Sequence, residues 1–193
     1  MSWLGLVRVG TAAFVSCLLL QSTRASLDYN PELGRYQDEG QCTTWYEPWY
    51  IVYRNYENDP YYGDSKCCAN ATQIGFDEAT TSIFTVEKGK HVWNAQCRVT
   101  SSPGYTVKNL VVVTNTAPVP WLEGSNKQQI NFTMRAAYIS CNTCRVFHQS
   151  YVEGGCTLWK PESKINEPDP CCEYVYDLLC GTSPKYHISK NCV

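Results

Sequence analysis

The chain has 193 residues, with 16 basic and 18 acidic side chains. It begins with Arg8, an apolar run over residues 9–20 and Thr23-Arg24-Ala25, the layout of a secretory signal cut after Ala25. Without residues 1–25 it loses Arg8 and Arg24 and no acid, so 14 bases face 18 acids. That net charge of −4 argues against nucleic acid or an anionic membrane as partner. The apolar run is too short to span a bilayer, and residues 26–193 fit one exported domain with one core.

The first cluster of interest follows the apolar stretch Trp49-Tyr50-Ile51-Val52-Tyr53. There Asn55-Tyr56-Glu57-Asn58-Asp59-Pro60-Tyr61-Tyr62-Gly63 crowds acids and aromatics into a turn. A plain hairpin asks only for Gly or Asn, so either ligand contact or simple turn formation by Asp59-Pro60 accounts for it. Beyond it, apolar residues recur with a period of two. The expected strands are 49–55, 68–76, 82–87, 91–100, 105–114, 129–140, 144–151 and 156–160. Turn signals such as Lys88-Gly89-Lys90, Ser102-Pro103-Gly104 and Glu153-Gly154-Gly155 separate them.

These spacings predict an all-β domain, an eight-stranded antiparallel up-and-down barrel, with a two-sheet sandwich as the alternative. A sugar on the sequon Asn131-Phe132-Thr133 must lie outside, which turns Phe132, Met134 and Tyr138 inward; Asn70-Ala71-Thr72 is a second sequon. Similarly Tyr105, Val107, Val111 and Val113 are expected inside. One helix is expected near residues 170–179, capped by Asp169, begun by Pro170 and stopped by Gly181. Cys171, Tyr174, Val175 and Leu178 share a face of it, and the helix packs outside the barrel.

Twelve cysteines, less Cys17 in the leader, leave eleven, an odd number that reads as a disulfide framework with one spare thiol. The spare thiol allows a disulfide-linked dimer of an otherwise monomeric protein. Cys141-Asn142-Thr143-Cys144 lacks the βαβ surroundings of a redox motif. Three histidines with no H-E-x-x-H and no G-x-S-x-G give no sign of an enzyme, metal site or cofactor.

Trp49–Tyr53 with Asn55…Pro60, then Cys144-Arg145-Val146-Phe147, Gly155-Cys156-Thr157-Leu158-Trp159, Pro168…Cys171 and Cys192 resemble the tick salivary lipocalins of the histamine-binding protein family. The likeness runs over residues 45–192. It implies a lipocalin barrel with a C-terminal helix, secreted to capture a small host mediator at the feeding site. It also implies the disulfides Cys68–Cys192, Cys144–Cys171 and Cys156–Cys180, and leaves Cys42, Cys67, Cys97, Cys141 and Cys172 unassigned.

For an amine ligand the resemblance points to Tyr56, Asp59 and Tyr62 in the loop, with Phe132 and Trp159 as ring partners. Yet the family's inward acids are replaced by Met134, Arg145 and Thr157, and near residues 98–100 another gives way to Cys97. That leaves two small-molecule readings: a scavenger of histamine or serotonin weaker than acid-rich relatives, and a carrier of a hydrophobic, anionic mediator such as an eicosanoid. Arg145 would reach the carboxylate in the second, or would sit on the rim. A protein-binding role through the outer surface is the third reading.

Overall fold

The computed structural model describes residues 29–42, 47–63, 68–78, 81–88, 91–119 and 129–188. The expected signal segment lies outside them. By contacts the chain divides into Met1–Asn30 and Pro31–Val193. Only residues 29–30 of the first unit are described, and the second unit is the barrel domain.

Strands β1 (Trp49–Arg54), β2 (Ala69–Glu78), β3 (Thr81–Lys88), β4 (His91–Thr100), β5 (Leu110–Asn115), β6 (Asn131–Ser140), β7 (Cys144–Gln149) and β8 (Cys156–Pro161) follow one another. Each pairs antiparallel with the next, β8 pairs with β1, and β1 pairs with β2 to close the barrel. Closure removes the exposed edges an open meander would leave. A two-residue strand β9 (Tyr186–His187) adds to β1 at Tyr53 and Arg54.

β5 begins at Leu110 rather than at residue 105. The Asn109 carboxamide oxygen accepts from both the backbone N–H and the hydroxyl of Ser102, at 2.9 and 2.8 Å, which holds 102–109 as a turn. Val111 and Val113 are inside as expected; Tyr105 is buried too, but in this loop.

Of the register shifts in the barrel, which include two in β2, those in β6 and β1 reset the faces that bear on the site. One lies between Ala136 and Tyr138, so that Ile139 joins the barrel core while Tyr138 packs on the outer wall instead of inside. The other lies between Ile51 and Tyr53. Trp49 and Ile51 point in, Tyr53 packs outside near the helix ring of Tyr176, and Arg54 comes opposite Thr157 on the inner face.

Helix α1 (Pro170–Cys180) lies on the outer wall of β7 and β8. Asp169 caps it by accepting from the Cys172 N–H at 3.0 Å, and Gly181 follows its last turn at φ 86°. Its buried face is Cys172 and Tyr176, with Leu179 and Cys180 partly buried beside them. The expected face is the outer one, with Cys171 exposed, Tyr174 66% exposed and Leu178 53% exposed.

Covalent anchoring explains the rotation. Cys144 bonds Cys172, not Cys171, and Cys156 bonds Cys180, which together turn the 172/176/180 side to the wall. Cys171 is a free thiol 3.9 Å from the Tyr138 hydroxyl. Cys42 is bridged to Cys141, and Cys68 is disulfide-bonded, whereas its expected partner Cys192 lies outside the described residues.

Of the two sequons, Asn131 is exposed. Asn70 is only 7% exposed and its Nδ2 donates to Glu87 Oε2 at 3.0 Å, so its surroundings are covered by neighbouring chain.

Candidate functional site

The end of the barrel away from the loop 55–63 is plugged by two short 3-10 turns, Pro31–Tyr36 and Glu39–Gln41. Asp38 caps the second by accepting from Gly40 N, and it also accepts from Lys108 N at 3.1 Å. This carries Glu39 into the barrel. Its Oε2 accepts from Arg145 Nε at 3.1 Å, and the Arg145 guanidinium lies 3.7 Å over the Trp49 ring.

Arg145 is fully buried. Burial pulls its pKa down and Glu39 works against that fall, so the pair is an internal, nearly neutral floor. Arg145 therefore lies inside the barrel rather than on its rim, with Nε engaged by Glu39. Alternation from Cys144 could show that it faces inward; its partner, 106 residues away and outside the region of resemblance, could not be read.

Above the floor is a cavity of about 60 Å³. Val86, Phe84, Val111, Met134, Phe147 and Trp159 line it, with Glu39, Cys97 and Tyr62 among its few polar groups. Cys97 is a free thiol whose partial exposure opens onto this cavity. Burial and, secondarily, Glu39 push its pKa to about 12, so it stays protonated.

The mouth is closed by the loop 55–63, which hangs on Asp59. Asp59 Oδ1 accepts from the N–H groups of Tyr61 and Tyr62 at 2.8 and 2.9 Å. Its Oδ2 accepts from the hydroxyls of Tyr56 and Tyr151, both at 2.7 Å. Arg54 Nη1 adds an ion pair at 4.0 Å, and Asp59 exchanges two backbone hydrogen bonds with Gly63, whose φ is 90°. A carboxylate with four donors is saturated, so Asp59 holds the loop together.

The loop's rings fill the mouth. Tyr61 stacks on Phe132 at 4.7 Å and 17°, and Tyr151 meets both rings edge-on at 4.8 Å. Tyr62, 3% exposed, stands edge-on to Trp159 at 5.3 Å. Burial, with Asp59 as a further cause, raises the pKa values of Tyr56, Tyr62 and Tyr151.

The structure thus gathers Tyr62, Phe132, Met134 and Trp159 around one interior, places Tyr56 and Asp59 in its lid, and sets Arg145 in its floor. Thr157, where the amine pattern has an acid, accepts from Gln149 Nε2 at 2.8 Å and from Trp159 Nε1 at 2.9 Å. Sequence reasoning missed Glu39, Arg54, Tyr61, Gln149 and Tyr151. Gln149 was legible by alternation with Arg145 and Phe147; Arg54 was not, because the β1 bulge reverses its side.

Among the described residues the one group spaced for a metal ion is Cys144, Asp169 and Cys172, and its sulfurs are joined in a disulfide. No helix among them is long and apolar enough to cross a membrane.

Comparison with known proteins agrees with this architecture. The chain matches the family model described as tick histamine binding protein over residues 27–192. No curated protein matches it significantly.

Proposed function

Because the chain belongs to the tick histamine-binding protein family, a family of ligand carriers, we propose that it sequesters one small hydrophobic host mediator in the barrel. In this reading it is secreted, dampens host inflammation at the feeding site and catalyses no reaction. The observation that carries it is the state of the interior acids. Among the described residues the carboxylates at the site are Asp59 and Glu39, and both are engaged by protein donors.

An ammonium brought into such a space lacks the partner that offsets its desolvation, which costs several kcal/mol. Micromolar affinity is only about 8 kcal/mol in total, so the loss is decisive. Apolar cargo meets no such charge, and burial of its surface drives binding. With the loop closed the cavity takes little more than solvent, so a lipid-sized ligand enters as Tyr61 and Tyr62 swing out about Gly63.

Calorimetric titration with histamine, serotonin and arachidonic acid tests the reading. Submicromolar binding of arachidonic acid with weak or absent amine binding supports it; tight binding of histamine and none of the acid overturns it. A surface role is the second reading, favoured by the exposed stripe of Tyr174 and Leu178 beside free Cys171 on α1.

A further inference from the structure

Arg54 is fully buried, yet two of its three guanidinium nitrogens, Nε and Nη1, have no hydrogen-bond acceptor. Nη2 donates to the carbonyl of Glu57. Asp59 Oδ2 stands 4.0 Å from Nη1, close enough for charge attraction and too far for a hydrogen bond. The two donors are costly as they stand, since a buried charged group without acceptors forfeits its hydration.

Their position is what gives them meaning. The β1 bulge puts Arg54 opposite Thr157 on the inner wall at the mouth, and Ile51, one turn of the pleat below, is opposite Trp159 of the cavity lining. Beside Thr157, Gln149 is 3% exposed and its Oε1 also lacks a partner. So, at the end opposite the Glu39–Arg145 floor, the interior carries a polar patch of Arg54, Thr157 and Gln149 where loop and barrel meet.

We propose that Arg54 is the anion anchor of the binding site, receiving the carboxylate of an acidic hydrophobic ligand whose apolar part occupies the cavity. This rests on the hydrophobic-cargo reading and moves the charged contact from Arg145, which Glu39 occupies, to Arg54. Nη1 is a charged N–H donor with its hydrogens uncommitted, and a ligand carboxylate oxygen placed there accepts a charge-assisted hydrogen bond. Asp59 does not need Arg54 in return, because four other donors already satisfy it. The opening of the loop and the arrival of a ligand carboxylate are then one exchange, in which the ligand supplies the acceptors that Asp59 holds too far away.

The test compares arachidonic acid with its methyl ester, matched in chain and differing in charge, by calorimetry on the intact protein. The wild type is expected to prefer the acid by about tenfold or more. Arg54→Met should bring the acid down to the affinity of the ester and leave the ester unchanged, and Arg54→Lys should restore part of the preference. Equal binding of acid and ester by the wild type overturns the anchor while leaving the hydrophobic reading intact. An acid preference that survives in folded Arg54→Met also overturns it. Binding of neither compound overturns both readings.

Discussion

The Tyr151 hydroxyl donates to Asp59 Oδ2 at 2.7 Å, across 92 positions of sequence. This contact ties the β7–β8 turn to the loop after β1 and makes one carboxylate the keystone of the mouth. Its charged neighbour Arg54 depends on it far more than it depends on Arg54. Asp59→Ala should therefore cost about 3–5 kcal/mol, because it strands a buried guanidinium, and Arg54→Met only about 1–2 kcal/mol. Urea unfolding midpoints at constant m-value give the comparison; equal costs would contradict the asymmetry.

The floor obeys the same physics with a different outcome. Arg145→Ala should destabilise by about 3–5 kcal/mol, since Glu39 is left buried without its partner. A double variant, Glu39→Leu with Arg145→Met, should lose clearly less than the two single losses combined. Preference for acid over ester should persist in any Arg145 variant that folds.

The two thiols free among the described residues, Cys97 and Cys171, should differ sharply toward iodoacetamide. At pH 8 a thiol with a pKa of about 12 is ionised to roughly one part in ten thousand, so Cys97 should react only after unfolding. Exposed Cys171 should react in the native protein. Peptide mass mapping distinguishes them and also reports Cys144 joined to Cys172; a Cys144–Cys171 peptide would refute the helix orientation.

Alkaline pH should weaken the fold. Cys97 keeps its proton in the folded state up to about pH 12, and Tyr56, Tyr62 and Tyr151 hold theirs above their ordinary values. The unfolded chain releases these protons first, the thiol near pH 9 and the phenols near 10. Their contribution is complete below pH 9 and is lost as pH rises through the folded-state values. Thermal midpoints should hold steady to about pH 9 and then fall; a rise above pH 9 would reverse the sign.

Exposed Asn131 is the favoured sugar acceptor. Secreted expression should give a glycan there, removed by Asn131→Gln with a mass loss of one chain. Full occupancy at Asn70 would mean that its bond to Glu87 and its cover are absent in the mature protein.

The barrel was readable from sequence because alternation is a local property. Runs such as Phe132-Thr133-Met134 declare their faces wherever the pleat is unbroken, and Asp169, Pro170 and Gly181 mark the helix by backbone chemistry alone. Bulges break that inference: one extra residue in β1 and one in β6 swing Arg54 inward and Tyr138 outward with no mark in composition. The choice between Cys171 and Cys172 was equally hidden, since adjacent cysteines differ only by the rotation of a helix that docking sets. Above all, the ligand chemistry lay in pairs distant in sequence. Whether Asp59, Arg145 and Arg54 are available depends on Tyr151, Glu39 and a 4.0 Å gap, and each of these arises when strands far apart in the chain close one interior.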